Sequence, residues 1–241
     1  MTVQSEAAVQ LGAAELGVSL QRSHVRQTTQ LRDEILASFD ALLAAEGFRR
    51  RAADHTYRRK VSRELTHVVH LNFGPVEEAG IALVIPSAGV RHDPVERLLV
   101  AAGVVSSAST RDRATVALPF APVAYEASIE SGAEPLVRSI WSDWEARGRE
   151  QLEELSSLEL VLRRLSAPDP RDWGHASLGA RARLMVLCLL VLGRPNEALE
   201  ILEQFEHSLG VKDQMLPSFS AFAGWCRSYV QQSGGIAAPA G

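Results

Sequence analysis

An amphipathic helix followed by alternating, strand-like segments constrains the fold of this chain more than any other feature. Apolar residues recur at helical spacing from residue 30 to residue 46 and form one stripe. Gly47 suits the left-handed position that ends a helix, and Phe48 can fold back on the last turn as in a Schellman cap. A helix before a strand meander predicts an α+β fold, with the helix packed on a short antiparallel sheet. The stripe comprises Leu31, Ile35, Phe39, Leu42 and Leu43.

Three segments supply the predicted sheet. Residues 64–73 alternate and have one mostly apolar face, whereas residues 79–86 are continuously apolar and suit a central strand. Residues 55–61 are strongly basic, which is typical of a sheet edge, because charged side chains there discourage pairing with another chain. A helix is predicted to follow, with Asp93 as its N-cap and Pro94 in its first position.

The rest of the chain is mainly helical in pattern. Residues 113–120 predict one more strand, and every periodic segment after residue 133 has helical spacing. Trp141 and Trp144 lie at helical spacing and are predicted to be packing residues. The predicted helices are 134–147, 150–165, 178–192, 196–209 and 218–232.

The change from strands to helices near Gly132 predicts the domain organisation, an α+β half followed by an all-helical half. Two alternatives remain for the helical region: it folds independently, or it packs on the sheet and completes one core. The predicted regions are a flexible N-terminal arm (1–27), an α+β domain (28–132), a helical region (133–232) and a disordered tail (233–241).

Composition excludes several classes of protein. The formal net charge of -4 over 241 residues gives the whole chain no drive toward nucleic acid or an anionic membrane. The longest apolar run, Leu184–Leu192, covers about half of a membrane span, so no membrane association is predicted. Cys188 and Cys226 are too few for a disulfide framework, and the expected location is therefore the reducing cytoplasm.

The segment 49–63 is the sharpest electrostatic feature, with seven basic residues, one acid (Asp54) and thus a net charge of +6. Its functional interpretation is a contact for phosphate, nucleic acid or an acidic partner, with Tyr57 as a stacking surface. The structural alternatives are a solvated edge strand, or neutralisation by Glu150, Glu153 and Glu154. The candidate binding residues are Arg49, Arg50, Arg51, Tyr57, Arg58, Arg59, Lys60 and Arg63.

The sequence assigns no catalytic residue, metal ligand or cofactor. His67 and His70 are three residues apart in a strand, so their side chains point to opposite faces and cannot share a metal; His67 is predicted to be a hydrogen-bonded core residue. Cys188 lies in an apolar helix, where burial makes a thiol inert. His55, His70 and Asp54 could meet at one rim of the sheet, which is the only basis for a hydrolase or transferase hypothesis.

Two resemblances can be named. The segment Gly193–Ala198, between apolar helices, resembles the turn and second helix of a tetratricopeptide unit; a single hairpin does not predict a peptide-binding groove. Residues of about 31–120 resemble the bacterial domain of unknown function 4304, through the strings LLAAEGFRR, TYRR, THVVHLNFG and GIALVI. That family has no established activity, so the resemblance implies a fold and assigns no site.

Three functional hypotheses follow. The first is a non-enzymatic module that binds another protein, as an immunity-like protein or a regulatory adaptor does. The second is a nucleic-acid-binding protein that uses residues 49–63, whose affinity would fall steeply with salt. The third is an unrecognised hydrolase or transferase.

Overall fold

The computed structural model describes residues 27, 29–51, 55–74, 81–107, 113–128, 130–167, 177–209 and 216–234. The predicted arm, except for residue 27, lies outside these ranges, as do Asp54 and most of the predicted tail. The last helix includes Ser233 and Gly234, the first two residues of that predicted tail.

An N-terminal helix, an antiparallel sheet and a helical C-terminal half confirm the predicted α+β class. The described strands are β1 (Arg49–Arg50), β2 (Thr56–Lys60), β3 (Leu65–Phe73), β4 (Ile81–His92), β5 (Val116–Pro119) and β6 (Tyr125–Ser128). The described helices are α1 (29–45), α2 (Asp93–Ala101), α3 (Glu134–Asp143), a π-helical turn (Trp144–Gly148), α4 (Arg149–Leu155), α5 (Leu158–Ser166), α6 (Leu178–Val191), α7 (Pro195–Ser208) and α8 (Leu216–Gly234).

The end of α1 has the predicted Schellman geometry. Gly47 has a φ of 83°, which a residue with a side chain rarely adopts. The Phe48 N–H donates to the carbonyl of Leu43 at 2.9 Å, and the Gly47 N–H donates to that of Ala44 at 3.0 Å. Phe48 is therefore folded back into the core, where it is 2% exposed.

The order of the described strands is β1-β2-β3-β4-β5, and β6 also pairs with β4. β2 therefore lies between two strands, and the prediction that residues 55–61 form the sheet edge was wrong. β1 takes the outermost place beside it, with Arg49 opposite Arg58 and Arg50 opposite Tyr57.

β4 extends six residues beyond its predicted end at Pro86. Its first part pairs with β6, from Ile81 opposite Ser128 to Val84 opposite Tyr125. Pro86 follows that stretch, and its carbonyl accepts from the Phe120 N–H at 3.4 Å. Proline is tolerated here because it lies where one partner strand gives way to the next.

The start of α2 differs from the prediction. His92 occupies the N-cap position without a side-chain cap, and Asp93 is the first helical residue, before Pro94. The Asp93 carboxylate instead accepts from Arg91 Nε at 2.6 Å and from Lys60 Nζ at 3.1 Å. The prediction that Asp93 caps this helix was therefore wrong, because two nearby cations compete for its oxygens.

The predicted helix 150–165 is divided in two. Ser157 is the N-cap of α5, and its hydroxyl accepts from the Leu160 N–H at 3.4 Å. A serine in this position satisfies a backbone donor that would otherwise lack a partner. The break at residues 156–157 therefore has a local cause that hydrophobic periodicity does not reveal.

The chain forms two compact units, and each combines strand segments with helices. Unit 1 comprises the described residues of Met1–Arg59, Val69–Ser87 and Pro119–Arg149. Unit 2 comprises those of Lys60–Val68, Ala88–Leu118 and Glu150–Gly241. The two alternatives for residues 133–232, independent folding and packing on the sheet, both stay predictions.

Candidate interaction surfaces

Several members of the basic segment are used inside unit 1. Arg50 makes a bidentate contact with Asp40, with Nε at 2.7 Å from Oδ1 and Nη2 at 2.8 Å from Oδ2. The hydrogen bond from Arg50 is the main reason why the pKa of Asp40 lies below its ordinary value. Arg59 lies 4.8 Å from the centre of the Phe48 ring and donates to the Glu46 carbonyl at 3.1 Å. These guanidinium groups therefore stabilise the end of α1.

Tyr57 is a core residue. It is 1% exposed, and its hydroxyl donates to the Leu36 carbonyl at 3.1 Å. Burial raises the pKa of this phenol above its ordinary value. The prediction that Tyr57 offers a stacking surface was wrong, because its ring has no free face.

Ion pairs reduce the net positive charge that the segment 49–63 presents to solvent. Arg50 pairs with Asp40, and Lys60 pairs with Asp93 at 3.1 Å. Glu154, one of the predicted neutralising acids, pairs with Arg164. The remaining basic residues differ in exposure: Arg49, Arg51 and Arg63 are exposed, and Arg58 is half-buried.

His67 has a structural contact in unit 2. It is 1% exposed, and its Nε2 lies 2.7 Å from the Ser156 hydroxyl. The same hydroxyl also lies 2.7 Å from the Leu152 carbonyl, which can accept its proton. The burial of His67 and its side-chain hydrogen bond confirm the prediction that it is a hydrogen-bonded core residue.

The residues of the hydrolase hypothesis have partners in unit 1. His70 Nδ1 lies 2.8 Å from the Thr56 hydroxyl, and the His55 ring packs edge-on against Phe73 with centroids 5.0 Å apart. Neither histidine lines the cavities found along α6 and α7. Within the described ranges, no three histidine, cysteine or acidic side chains are grouped as metal ligands would be.

The two thiols are buried and do not form a reactive pair. Cys188 and Cys226 are both 0% exposed and both free. Burial raises the pKa of each thiol to about 12, so neither carries thiolate near neutral pH.

An open groove runs along the hairpin of α6 and α7 in unit 2. Its two parts have volumes of about 240 Å³ and about 360 Å³, and both are lined by Met185, Ile201 and Gln204. The smaller, apolar part is also lined by Leu178, Ala182 and Phe205. The larger, polar part is also lined by Glu159, Arg163, Arg194, Glu197 and Glu200.

The turn between α6 and α7 explains how the groove is formed. Gly193 has a φ of 73°, and the Arg194 N–H donates to the Leu189 carbonyl at 2.9 Å, which closes α6 tightly. The antiparallel return buries Ala198 and Leu202 completely. Ile201, on the neighbouring face of α7, is only half-buried, so an apolar surface is left uncovered.

Charges at the polar part are only partly paired. Arg194 Nε donates to Glu197 at 2.6 Å, and its Nη1 lies 3.0 Å from Glu159. The hydrogen bond from Arg194 lowers the pKa of Glu197 below its ordinary value. Arg163 and Glu200 line the same cavity and are exposed, and neither makes an ion pair within the described part of the chain.

No family model, curated protein or solved structure matches this chain. The resemblances to the domain of unknown function 4304 and to a tetratricopeptide hairpin therefore stay predictions. In the ranges that the structure describes, no helix has both the length and the apolar character needed to cross a bilayer.

Sequence reasoning missed the groove. The residues of α6 are apolar on almost every side, so its periodicity does not indicate which face lacks a neighbour. The sequence does contain an apolar residue, Leu178, directly after the N-cap Ser177, and the structure leaves its side chain 60% exposed. An apolar residue in the first turn of a helix does not by itself indicate a binding surface.

Proposed function

We propose that this chain is a non-enzymatic protein-binding module and that the groove along α6 and α7 receives a helical segment of a partner protein. The observation that carries this proposal is an open groove with partly exposed apolar side chains in one part and charges in the other. Sites that bind helices have this combination of an apolar floor and a polar rim. An immunity-like or adaptor role is consistent with such a module.

The spacing of the lining residues supports a helical occupant. Leu178, Ala182, Met185 and Leu189 follow one another at four, three and four residues on α6. Residues at this spacing lie on one face of a helix, where Leu178 is exposed and Met185 half-buried, whereas Ala182 and Leu189 are buried beneath them. This face spans twelve residues, so its two ends lie about 16 Å apart at 1.5 Å per residue. A partner segment of three helical turns would match that length.

The affinity expected from the apolar contact alone is weak. Covering the exposed parts of Leu178, Met185, Ile201 and Phe205 would contribute on the order of 1 kcal/mol each. Ordering a free peptide offsets part of this gain. The apolar contact alone therefore gives a dissociation constant of about 1 mM or weaker, and tighter binding of an isolated segment requires further contacts.

A matched pair of variants tests the location. Peptides are selected for binding to the full chain from a random library, and their affinities are measured by fluorescence anisotropy. Gln204→Arg places a large cation in the groove and should weaken binding by about tenfold or more. Gln231→Arg, the same substitution at an exposed position of α8 that does not line the groove, should retain most of the affinity.

The same assay tests the nucleic-acid alternative. Labelled single-stranded and duplex DNA are titrated into the wild type and into an Arg49→Glu/Arg63→Glu variant at two salt concentrations. Tight, salt-sensitive DNA binding that this variant abolishes would support the alternative. Selected peptides that bind equally well to the Gln204→Arg and Gln231→Arg variants would overturn the groove proposal.

A further inference from the structure

We infer that the segment received by the groove carries an acidic residue on one flank of its apolar stripe and a basic residue on the other flank. This inference rests on the proposed function and specifies the chemistry of the partner. Three acids and three bases line the two parts of the groove, so net charge favours neither an acidic nor a basic occupant, and only the placement of charges can be selected. The six residues are Glu159, Glu197, Glu200, Arg163, Arg181 and Arg194.

An internal ion pair closes the groove at the end next to the turn between α6 and α7. Arg194 Nη1 lies 3.0 Å from the carboxylate of Glu159 on α5, and Arg194 Nε donates to Glu197 on α7 at 2.6 Å. The Arg194 side chain therefore bridges the two walls. Because both carboxylates already have a partner, this end of the groove offers little charge to an occupant.

Arg181 contacts the backbone at the far end of α5. Its Nη2 donates to the Ala167 carbonyl at 3.1 Å, and its Nε donates to the Leu165 carbonyl. The positive charge of Arg181 remains, but its guanidinium is directed at the last carbonyls of a helix, where a cation is stabilised. Arg181 therefore has a structural role at the end of α5.

Arg163 and Glu200 are the two charges that an occupant can pair with. Arg163 follows Glu159 by four residues on α5, and Glu200 follows Glu197 by three residues on α7, so each lies about one helical turn further along its wall. Both are exposed and line the polar part, and neither makes an ion pair among the described residues. The groove thus presents a cation on one wall and an anion on the other.

A single charge on the occupant would be attracted by one of these walls and repelled by the other. An acid beside Arg163 together with a base beside Glu200 would instead be attracted by both. On a helix, residues i and i+2 lie on opposite flanks of the residue between them, since successive residues are rotated by about 100°. An acid and a base on either side of one apolar residue would therefore reach both walls, while the apolar residue faces Met185 and Ile201.

Three synthetic peptides of about 16 residues test this inference, a length set by the groove plus one turn. All three share the same leucine and alanine stripe. The mixed peptide has glutamate on one flank and lysine on the other, and the remaining two have lysine on both flanks or glutamate on both. A helix can lie in the groove in either direction, and one direction always places the acidic flank of the mixed peptide beside Arg163.

Titrations followed by nuclear magnetic resonance measure even millimolar dissociation constants. The mixed peptide should bind the wild-type chain about fivefold more tightly than either other peptide. The reason is that it makes two exposed ion pairs, whereas each of the others makes one and also meets a like charge.

Reversing one charge of the groove should change which peptide binds best. Arg163→Glu makes both walls acidic at this level, so the lysine peptide should bind most tightly. Glu200→Arg makes both walls basic, so the glutamate peptide should bind most tightly. The double variant Arg163→Glu/Glu200→Arg exchanges the two charges without changing the net charge, and the mixed peptide should again bind best.

The matched controls are Arg63→Glu and Glu130→Arg. They make the same changes of charge at exposed positions that do not line the groove. Both controls should keep the order of affinities seen with the wild type.

The possible outcomes separate the two proposals. Equal binding of all three peptides to the wild type, with loss in Gln204→Arg, would overturn the inferred charge pattern and leave the groove in place. Controls that change the order as much as the groove variants do would also overturn it, because the effect would then be one of net charge. Failure of every peptide to bind, including those selected from the random library, would contradict both proposals.

Discussion

Replacing Gly89 by alanine is expected to lower the free energy of unfolding by about 3 kcal/mol. A Cβ atom at Gly89 would lie 2.5 Å from the Val116 carbonyl oxygen, 2.6 Å from Ala117 Cβ and 2.8 Å from Ala117 Cα. These atoms belong to β5 or are fixed directly to its backbone, so no flexible side chain can move away. The added methyl group would therefore separate β4 from β5.

Gly224→Ala is the matched control for this prediction. Gly224 lies within α8, and a Cβ atom there meets no other atom within 4 Å. Alanine should stabilise the helix by roughly 0.5–1 kcal/mol, because glycine loses more conformational entropy on folding. Denaturation with guanidinium chloride, followed by circular dichroism, measures both variants. Equal stability of Gly89→Ala and the wild type would contradict the close approach of β4 and β5.

Trp144→Ala is expected to destabilise the protein by about 4 kcal/mol. Among the described residues, Trp144 has the largest fully buried side chain, which is 1% exposed. Its ring packs edge-on against Phe48 and Phe120, with centroid distances of 5.9 Å and 5.6 Å. Its Nε1–H also donates to the Glu46 carboxylate at 3.2 Å, so alanine leaves both a cavity and a carboxylate without this donor.

Two further variants separate packing from backbone effects at this position. Trp144→Phe keeps an aromatic ring and removes the donor, and it should cost about 1–2 kcal/mol. A Cβ atom at Gly148 would lie 2.3 Å from Trp144 Cε3, so Gly148→Ala should destabilise the wild type strongly. The same change should cost much less in the Trp144→Ala background. Additive losses in the double variant would contradict direct packing of Gly148 on the indole.

The parts of the fold that the sequence predicted are those with local signals. The stripe of α1 and its end at Gly47 require contacts within one helix and one turn, and both predictions were confirmed. β1 and β6 have two and four residues and are too short for alternation to be recognised. Their pairing depends on partners elsewhere in the chain, which a single sequence does not specify.

For the candidate sites too, the sequence predicted local features and did not predict their tertiary contacts. Sequence identified the basic charges of segment 49–63, yet their partners depend on tertiary structure: Asp40 precedes Arg50 by ten residues, and Asp93 follows Lys60 by thirty-three. The groove could not be predicted, because it consists of surface that packing leaves uncovered. Ile201 differs from Leu202 in exposure and hardly at all in chemistry.

The central claim, that the groove along α6 and α7 binds a partner helix, is tested most directly by nuclear magnetic resonance of isotope-labelled methionine methyl groups. The chain has three methionines, and Met185 lines both parts of the groove. Its signal can be assigned by its disappearance in Met185→Leu. Titration with a peptide selected for binding to the full chain should shift the Met185 signal until the protein is saturated. A Met185 signal that stays unchanged while anisotropy reports binding would contradict the claim.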